Sequence, residues 1–477
     1  MNLAKSSLKL FVANIVTSLA GFIAVVIFSR KLGASPLGSY YPFLSVLGIL
    51  AIPTNLGLRN ALEKRLSEGG EANSFLGTAI TLKIPPLLVA SISIYFARGL
   101  INSFIGANVY SLLIIALWLR EASMLSLNVL RGELRVGDTA IVKILQPLGW
   151  LIFGYYFITQ NYGILGLIYG YIAGLIFTLV VGWWKISTPI GRPELKKAKS
   201  LFNYGKFNMV SAVGNYFYSW MDVAILSAFV AAGITATRAE IGAYENAWRL
   251  TMVATMLSQA ISTALFPQIS QWNVDDLTDK IENAISIALL PSVLFVIPVF
   301  VGTTVLAKDL LRILFGEEFT VAWLVLIILM GEKILQSGHV VLSHSLQAID
   351  RPDLSAIATI VAVIINIIMN ILLIWRFGIV GAAIATTISF GVNTVIHAIY
   401  LNRFLKISIP VQSAGWASAA SIFMGVCVYG VHSMISVNSI LDLAVIVILG
   451  ASIYAPIVLI YPPIRRRLQQ DILPVIF

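Results

Sequence analysis

The chain has 477 residues, 58% of them hydrophobic and 11% charged, against about 25% charged in a soluble domain. With a mean hydropathy of +0.89, that composition excludes a soluble globular protein and predicts an all-α, polytopic membrane protein. The net charge of +10 does not mark a nucleic-acid partner, because the basic residues gather on alternate loops between apolar runs. The single cysteine, Cys427, excludes an internal disulfide, and four scattered histidines give no metal-ligand spacing.

Apolar runs near the ~20 residues that a bilayer needs predict about fourteen spans, at 10–30, 38–58, 75–97, 108–130, 139–159, 163–184, 203–231, 240–270, 281–303, 320–347, 354–375, 379–401, 413–434 and 440–461. Lys5 and Lys9 precede the first run as in a signal peptide, but the run is too long and lacks an Ala-x-Ala-like cleavage site, so it reads as a retained helix. The longest connection, from Lys185 to Lys206, carries Lys185, Arg192, Lys196, Lys197 and Lys199 with Pro189 and Pro193. The expected domains are an N-terminal six-helix bundle (1–184), a basic cytoplasmic linker (185–202), a C-terminal six-helix bundle (203–406), and two extra helices with a basic tail (407–477). No soluble catalytic domain is expected between the spans, so the chain does not read as an enzyme.

The loop charges set the orientation. With both termini cytoplasmic, inner loops hold Lys5, Lys9, Arg59, Lys64, Arg65, Arg131, Arg135, the five linker cations, Lys280, Arg351, Arg403, Lys406 and Arg465 to Arg467. Outer loops hold Arg30, Lys31, Arg98, Arg238, Lys308, Arg312 and Arg376. The inner excess favours termini inside a multi-pass cytoplasmic-membrane protein.

The text also repeats. Asn161-Tyr162-Gly163-Ile164-Leu165-Gly166-Leu167-Ile168-Tyr169-Gly170 is echoed by Arg376-Phe377-Gly378-Ile379-Val380-Gly381-Ala382-Ala383-Ile384-Ala385. Gly137-Asp138-Thr139-Ala140 corresponds to Pro352-Asp353-Leu354-Ser355, each leading into an apolar run. A weaker echo links residues 14–43 to 208–248, setting Leu37-Gly38-Ser39-Tyr40 against Ile241-Gly242-Ala243-Tyr244. Two halves on one plan, each with an even span count, predict parallel repeats of the kind transporters use.

Ionisable residues inside spans are costly and usually face a cavity or one another. The candidates are Arg120 and Glu121 in the fourth span, Lys143 in the fifth, Asp222 in the seventh, Glu245 and Arg249 in the eighth, and Glu332 and Lys333 in the tenth. Arg59 is placed near the inner end of the second span, next to Asn55. Asp222 and Arg249 each lie roughly 15 Å from the outer face at 1.5 Å per residue, and Glu245 and Arg249 are i,i+4 neighbours. The Arg120-Glu121 and Glu332-Lys333 doublets fall at corresponding depths, and adjacent helical residues diverge by about 100°, so each can send one member to a cavity and one to a neighbour. The bland alternative is a set of structural ion pairs locking helix to helix. The sharper one is a net-positive cavity lined by Arg59, Arg120, Lys143, Arg249 and Lys333, suited to an anion such as a phosphate.

Other polar groups read as structural. Asp275, Asp276, Asp279 and Glu282 fit a helix start rather than a metal cluster. His339 and His344 read as packed or lining residues, and Asn366 and Asn370 as helix bridges.

At these residues the sequence resembles a family. Ser29-Arg30-Lys31-Leu32-Gly33, Leu37-Gly38-Ser39-Tyr40, Asn55-Leu56-Gly57-Leu58-Arg59-Asn60-Ala61, Met221-Asp222, Gly242-Ala243-Tyr244, Trp248-Arg249-Leu250, Leu265-Phe266-Pro267-Gln268-Ile269-Ser270 and Phe377-Gly378-Ile379-Val380-Gly381-Ala382-Ala383 look like the Wzx-like polysaccharide flippases of the multidrug/oligosaccharidyl-lipid/polysaccharide exporter superfamily. Asn55 stands where an acid is frequent. The resemblance implies two six-helix bundles around a central cavity, two extra C-terminal helices, and alternating-access flipping of polyprenyl- or dolichyl-phosphate-linked oligosaccharide, with glycan-assembly enzymes as partners. A related lipid II flippase uses cavity arginines, but this first span carries no intramembrane charge. No Gly-x-x-x-x-Gly-Lys-Ser/Thr sequence is present, so no nucleotide cofactor is expected, and a proton or Na⁺ gradient is the candidate energy source, with Asp222 and Glu245 as coupling acids. The alternative from the same superfamily is a cation-coupled multidrug exporter, for which an acid-rich cavity is expected.

Overall fold

The computed structural model describes residues 3–408 and 410–467. The side chains of residues 3–8, 10, 11, 206–213, 215 and 218 lie outside that description, and with them the expectations for Lys5 and Lys206. Among the described residues there are seventeen α-helices and no strand. The first nine are α1 (Leu3–Leu32), α2 (Ala34–Asn55), α3 (Leu58–Ser67), α4 (Ala72–Phe96), α5 (Arg98–Ile105), α6 (Tyr110–Gly132), α7 (Val136–Thr159), α8 (Ile164–Lys185) and α9 (Leu195–Ala231). Then come α10 (Arg238–Thr251), α11 (Met256–Val274), α12 (Thr278–Leu314), α13 (Trp323–Ala348) and α14 (Pro352–Leu401). The last three are α15 (Val411–Met434), α16 (Ile440–Ile460) and α17 (Pro462–Arg467).

Among the described residues eleven helices are long and apolar enough to cross a membrane, so the multi-pass helical class stands, whereas the exact number fourteen does not follow from that measure. Two expected boundaries also change. The predicted span 240–270 is broken by a 3-10 turn at Met252–Thr255, which separates α10 from α11. The second span stops at Asn55, so Arg59 sits not at its end but on the separate short helix α3. The predicted spans 354–375 and 379–401 both fall in α14, whose backbone departs from helical geometry at Gly378.

The chain divides into two compact units, Met1–Gly242 and Ala243–Phe477. In the first, α7 lies along α8 because glycines remove the side chains that would separate them. A Cβ on Gly170 would stand 2.5 Å from the Gly154 Cα, and one on Gly149 would stand 2.6 Å from the Gly174 Cα. Gly166, Gly170 and Gly174 recur every fourth residue and so share one helix face, the close-packing pattern of membrane helices, where dispersion contacts replace hydrophobic driving force. On the other side α1 packs on α7 through Phe28 against Trp150, edge to face at 5.1 Å between ring centres. The basic connection before α9 is not free-standing: Gly191 N–H donates to the Asn73 carbonyl at 2.8 Å, and Glu194 N–H donates to the Thr78 hydroxyl at 3.0 Å, which seats residues 191–194 on the start of α4.

The second unit is built on α12, α13 and α14, whose apolar faces meet in a core that includes Ile285, Leu289, Val341, Leu346 and Leu401. The α15–α16 hairpin is fastened to α12 at several levels. Tyr454 donates to the Leu294 carbonyl at 2.8 Å, Arg312 donates to the Val437 carbonyl at 2.7 Å, and His432 Nε2 meets Asp309 at 2.7 Å. Asn366 and Asn370 do bridge helical segments: Asn370 donates to Asn366 at 3.0 Å, and Asn366 reaches Thr386 beyond the Gly378 break at 3.4 Å. Glu282 at the start of α12 accepts from the Lys406 backbone N–H at 2.6 Å, in keeping with a structural role for that acidic segment. Outward faces remain apolar, as at Ile152 (60% exposed) and Ile448 (65% exposed), which suits hydrocarbon and not water.

Candidate functional site

The first unit holds a buried constellation of charge, and its construction begins with the end of α2. Pro53 sits in the last turn of that helix, and Leu56 (φ 50°) and Gly57 (φ 68°) then turn the chain through two left-handed residues before it restarts as α3. The break leaves Asn55 and Arg59 facing one another. The Asn55 side-chain oxygen accepts from Arg59 Nε at 2.9 Å and from its backbone N–H at 3.4 Å.

Two further helices complete the group. Lys83 on α4 donates to the same Asn55 oxygen at 3.1 Å and to Glu121 on α6 at 2.5 Å. Glu121 also lies 3.8 Å from the Arg59 guanidinium. Lys83 is 4% exposed and Glu121 1% exposed. Removing charges from water is expensive, and attraction repays it only where partners are close and hydrogen-bonded. One carboxylate faces two cations, so the group Arg59–Lys83–Glu121 carries one net positive charge. Glu63 on α3 steadies the arrangement by accepting from Asn128 on α6 at 2.6 Å.

The other predicted residues fall in separate places. Arg120, beside Glu121 in the sequence, donates to the Leu47 carbonyl on α2 at 2.9 Å and so ties α6 to α2. Lys143 on α7 donates to Asn14 on α1 at 2.8 Å, a contact outside the Asn55 group. Asp222 is partly buried on α9. In the second unit Glu245 pairs with Arg249 one turn later on α10 at 2.8 Å. Glu332 and Lys333 are both fully buried on α13 and approach each other at 2.6 Å. The Lys333 ammonium also lies 5.9 Å from the ring centres of Trp248 and Phe390, within cation–π range. The two doublets therefore differ: Glu121 reaches two other helices, whereas Glu332 and Lys333 meet each other. Beside them, His339 and His397 stack edge to face at 4.6 Å, and His397 bonds Ser355 at 3.1 Å. Among the described residues no group of three or more His, Cys, Asp or Glu could hold a metal.

Lys83 is the member that the sequence reading missed. The signal was present: a lysine twelve positions into the 25-residue apolar helix Ala72–Phe96, two residues before Pro85-Pro86. A cation at that position in an apolar helix is costly unless it faces a cavity or a counter-charge.

Comparison with known proteins narrows what such a fold does. A family model described as "Polysaccharide biosynthesis protein" matches residues 3–273, and one described as "MatE" matches residues 211–372. Over 473 residues, 99% of both chains, the sequence is 44% identical to the probable low-salt glycan biosynthesis flippase Agl15 of Haloferax volcanii. The fold resembles the lipid II flippase MurJ in an inward closed conformation, with a TM-score of 0.77 at 18% identity, covering 94% of this chain and 98% of that one. It also resembles an inward-facing multidrug-resistance MATE transporter, with a TM-score of 0.64 at 16% identity, covering 82% and 97%. At these identities the two structural likenesses concern the fold alone.

Proposed function

We propose that this chain, which belongs to the polysaccharide biosynthesis protein family, is a flippase that moves a lipid-linked oligosaccharide across the cell membrane for surface glycan assembly. Its work is translocation by alternating access, with no bond made or broken. The observation that carries the reading is the buried Asn55–Arg59–Lys83–Glu121 group, one carboxylate short of neutral. A phosphate or pyrophosphate between lipid and sugar supplies the missing negative charge, and charge-assisted hydrogen bonds to it contribute about 1.5–3 kcal/mol each. The 44% identity to a named glycan biosynthesis flippase supports the same substrate class. A cation-coupled multidrug exporter needs surplus acid, and this group has surplus base.

The remaining parts of the proposal concern energy and orientation. A proton or Na⁺ gradient drives the cycle, with Asp222 and Glu245 as the coupling acids. Both termini lie on the cytoplasmic side, where glycan-assembly enzymes load the carrier. Replacing Asp222 with Asn then weakens transport and its response to an imposed gradient, and unchanged gradient-sensitive transport removes Asp222 from the mechanism.

The direct test is reconstitution into liposomes with defined polyprenyl- and dolichyl-phosphate-linked sugars, reading the fraction of sugar accessible from each side. Movement of these lipids, and weak movement of the same glycan on an uncharged lipid, is the expected result. Movement of organic cations without movement of lipid-linked sugar would replace this reading with the multidrug one.

A further inference from the structure

A second feature of the first unit lies apart from that charged group's hydrogen bonds. A groove of about 660 Å³ opens between the α2–α4 region and the start of α9. Leu56, Leu58 and Leu82 line one side, and Leu195, Ala198 and Phe202 on α9 line the other. The volume lies within the range of about 300–1,000 Å³ typical of small-molecule sites. Leu195 is 88% exposed and Phe202 51% exposed, one turn to either side of Ala198, so the first two turns of α9 present an apolar face. Lys196 and Lys199, also exposed, line the same groove.

The three lysines at this end are in different states. Lys197 is committed: it is 6% exposed, bonds Glu194 at 2.9 Å and pairs with Glu71. Lys196 and Lys199 make no ion pair among the described residues. They stand at i,i+3, so their stems leave the helix about 5–6 Å apart, a span that one phosphate group can bridge. An apolar trough rimmed by two exposed ammonium groups, neither in a close ion pair although Lys196 acts at longer range on Glu194, is complementary to a hydrocarbon chain ending in an anion. Lysines at a membrane surface attract such head groups while their stems lie along apolar surface.

We infer that this groove binds a membrane lipid with a phosphate head group, its hydrocarbon chain along Leu56, Leu82 and Phe202 and its phosphate on Lys196 and Lys199. The site goes beyond the proposed flipping activity, since it holds a lipid without needing to translocate one. Its inner wall is nonetheless connected to the charged group: Leu56, Leu58 and Leu82 are the chain neighbours of Asn55, Arg59 and Lys83.

The experiment uses the full chain in detergent micelles, with geranylgeranyl monophosphate as probe and native mass spectrometry plus thermal unfolding as readouts. Geranylgeraniol and inorganic phosphate are the controls that separate chain from anion. Geranylgeranyl monophosphate is expected to bind more tightly than either control. Lys196→Gln and Lys199→Gln should each weaken it by roughly fivefold, and together by about 25-fold, without lowering the melting temperature of the lipid-free protein. Ala198→Trp, which fills the trough from an accessible position, should weaken binding with both charges intact. Unchanged binding in the double lysine variant and in Ala198→Trp overturns the site. Equal binding of inorganic phosphate reduces it to an anion site, and equal binding of geranylgeraniol to an apolar surface; either result overturns the inference. Flipping is measured separately in liposomes, so loss of this site and loss of the transport reading give different results.

Discussion

Gly163 and Gly378 hold the same backbone conformation, φ 53°, ψ −129° and φ 56°, ψ −134°. They stand at matching positions of the repeated segment, and each is followed three residues later by a glycine against which the preceding helix packs. A Cβ on Gly166 would meet the Ile158 nitrogen at 3.0 Å, and one on Gly381 would meet the Leu373 carbonyl oxygen at 2.0 Å. The repeat is thus a repeat of geometry: a sharp reversal at the first glycine, then an antiparallel return close enough to exclude side chains.

That geometry predicts distinct costs along one motif. Gly163 has open space around its missing Cβ, so Gly163→Ala costs only backbone strain, about 1–3 kcal/mol for a conformation that side chains avoid. Gly381→Ala drives a methyl group into backbone and should lower the melting temperature further. Gly415→Ala, on α15 with open space and no positive φ, should leave it unchanged. Thermal melts of the purified variants check the order, and equal melting of all three would refute it.

The repeat was legible because a reversal of this kind demands glycine, and glycines survive as text. The charged group was legible only in part. Asn55, Arg59 and Glu121 stood out as polar residues in or beside apolar runs, but their pairing depends on which helix faces which. Periodicity gives a face and not its neighbour. Lys143 looked as good a candidate as Arg59, yet its hydrogen bond goes to Asn14. The break that brings Arg59 to Asn55 was hidden for a local reason: Leu56 adopts a left-handed conformation that its residue type does not announce.

Acid should loosen the connection before α9. Hydrogen bonds from Ser74 and Lys197 hold the Glu194 carboxyl below its usual value of 4.5. A depressed carboxylate contributes stability above its unfolded value and loses it as pH falls through the folded one. Docking of residues 191–194 should therefore be constant near neutrality, begin to weaken below about pH 4.5, and be lost at lower pH. Amide exchange at Gly191, whose N–H is bonded to Asn73, reports this directly. In Glu194→Gln the acid dependence should disappear; persistence would assign it to another group.

The termini provide a test of orientation. The proposed orientation, which rests on the basic excess on alternate loops, puts the Arg465-Arg466-Arg467 end on the cytoplasmic side and expects the Asn161-Tyr162-Gly163 turn on the other. Reporter fusions at Arg467 and within that turn should report opposite sides. The same side for both would require an odd change in the number of passes between them.

Glu121 distinguishes a substrate clamp from a structural ion pair. Among the described residues it is the one carboxylate ion-paired with Lys83 and Arg59, so Glu121→Gln leaves two cations facing each other. Breaking a buried pair from one side costs about 3–5 kcal/mol, and Lys83→Met added to Glu121→Gln should recover part of that loss. Both readings share this outcome. They separate when a polyprenyl pyrophosphate is added. If the cations serve an anionic head group, the lipid replaces the missing carboxylate and raises the melting temperature of Glu121→Gln more than that of the unaltered protein. Arg59→Ala, with its fold intact, should then flip lipid-linked sugar roughly tenfold more slowly or worse, since ~1.4 kcal/mol of lost interaction is a factor of ten. Equal stabilisation of both proteins by the lipid, together with full flipping by Arg59→Ala, would leave the group as a lock between α3, α4 and α6 and move the substrate's phosphate elsewhere.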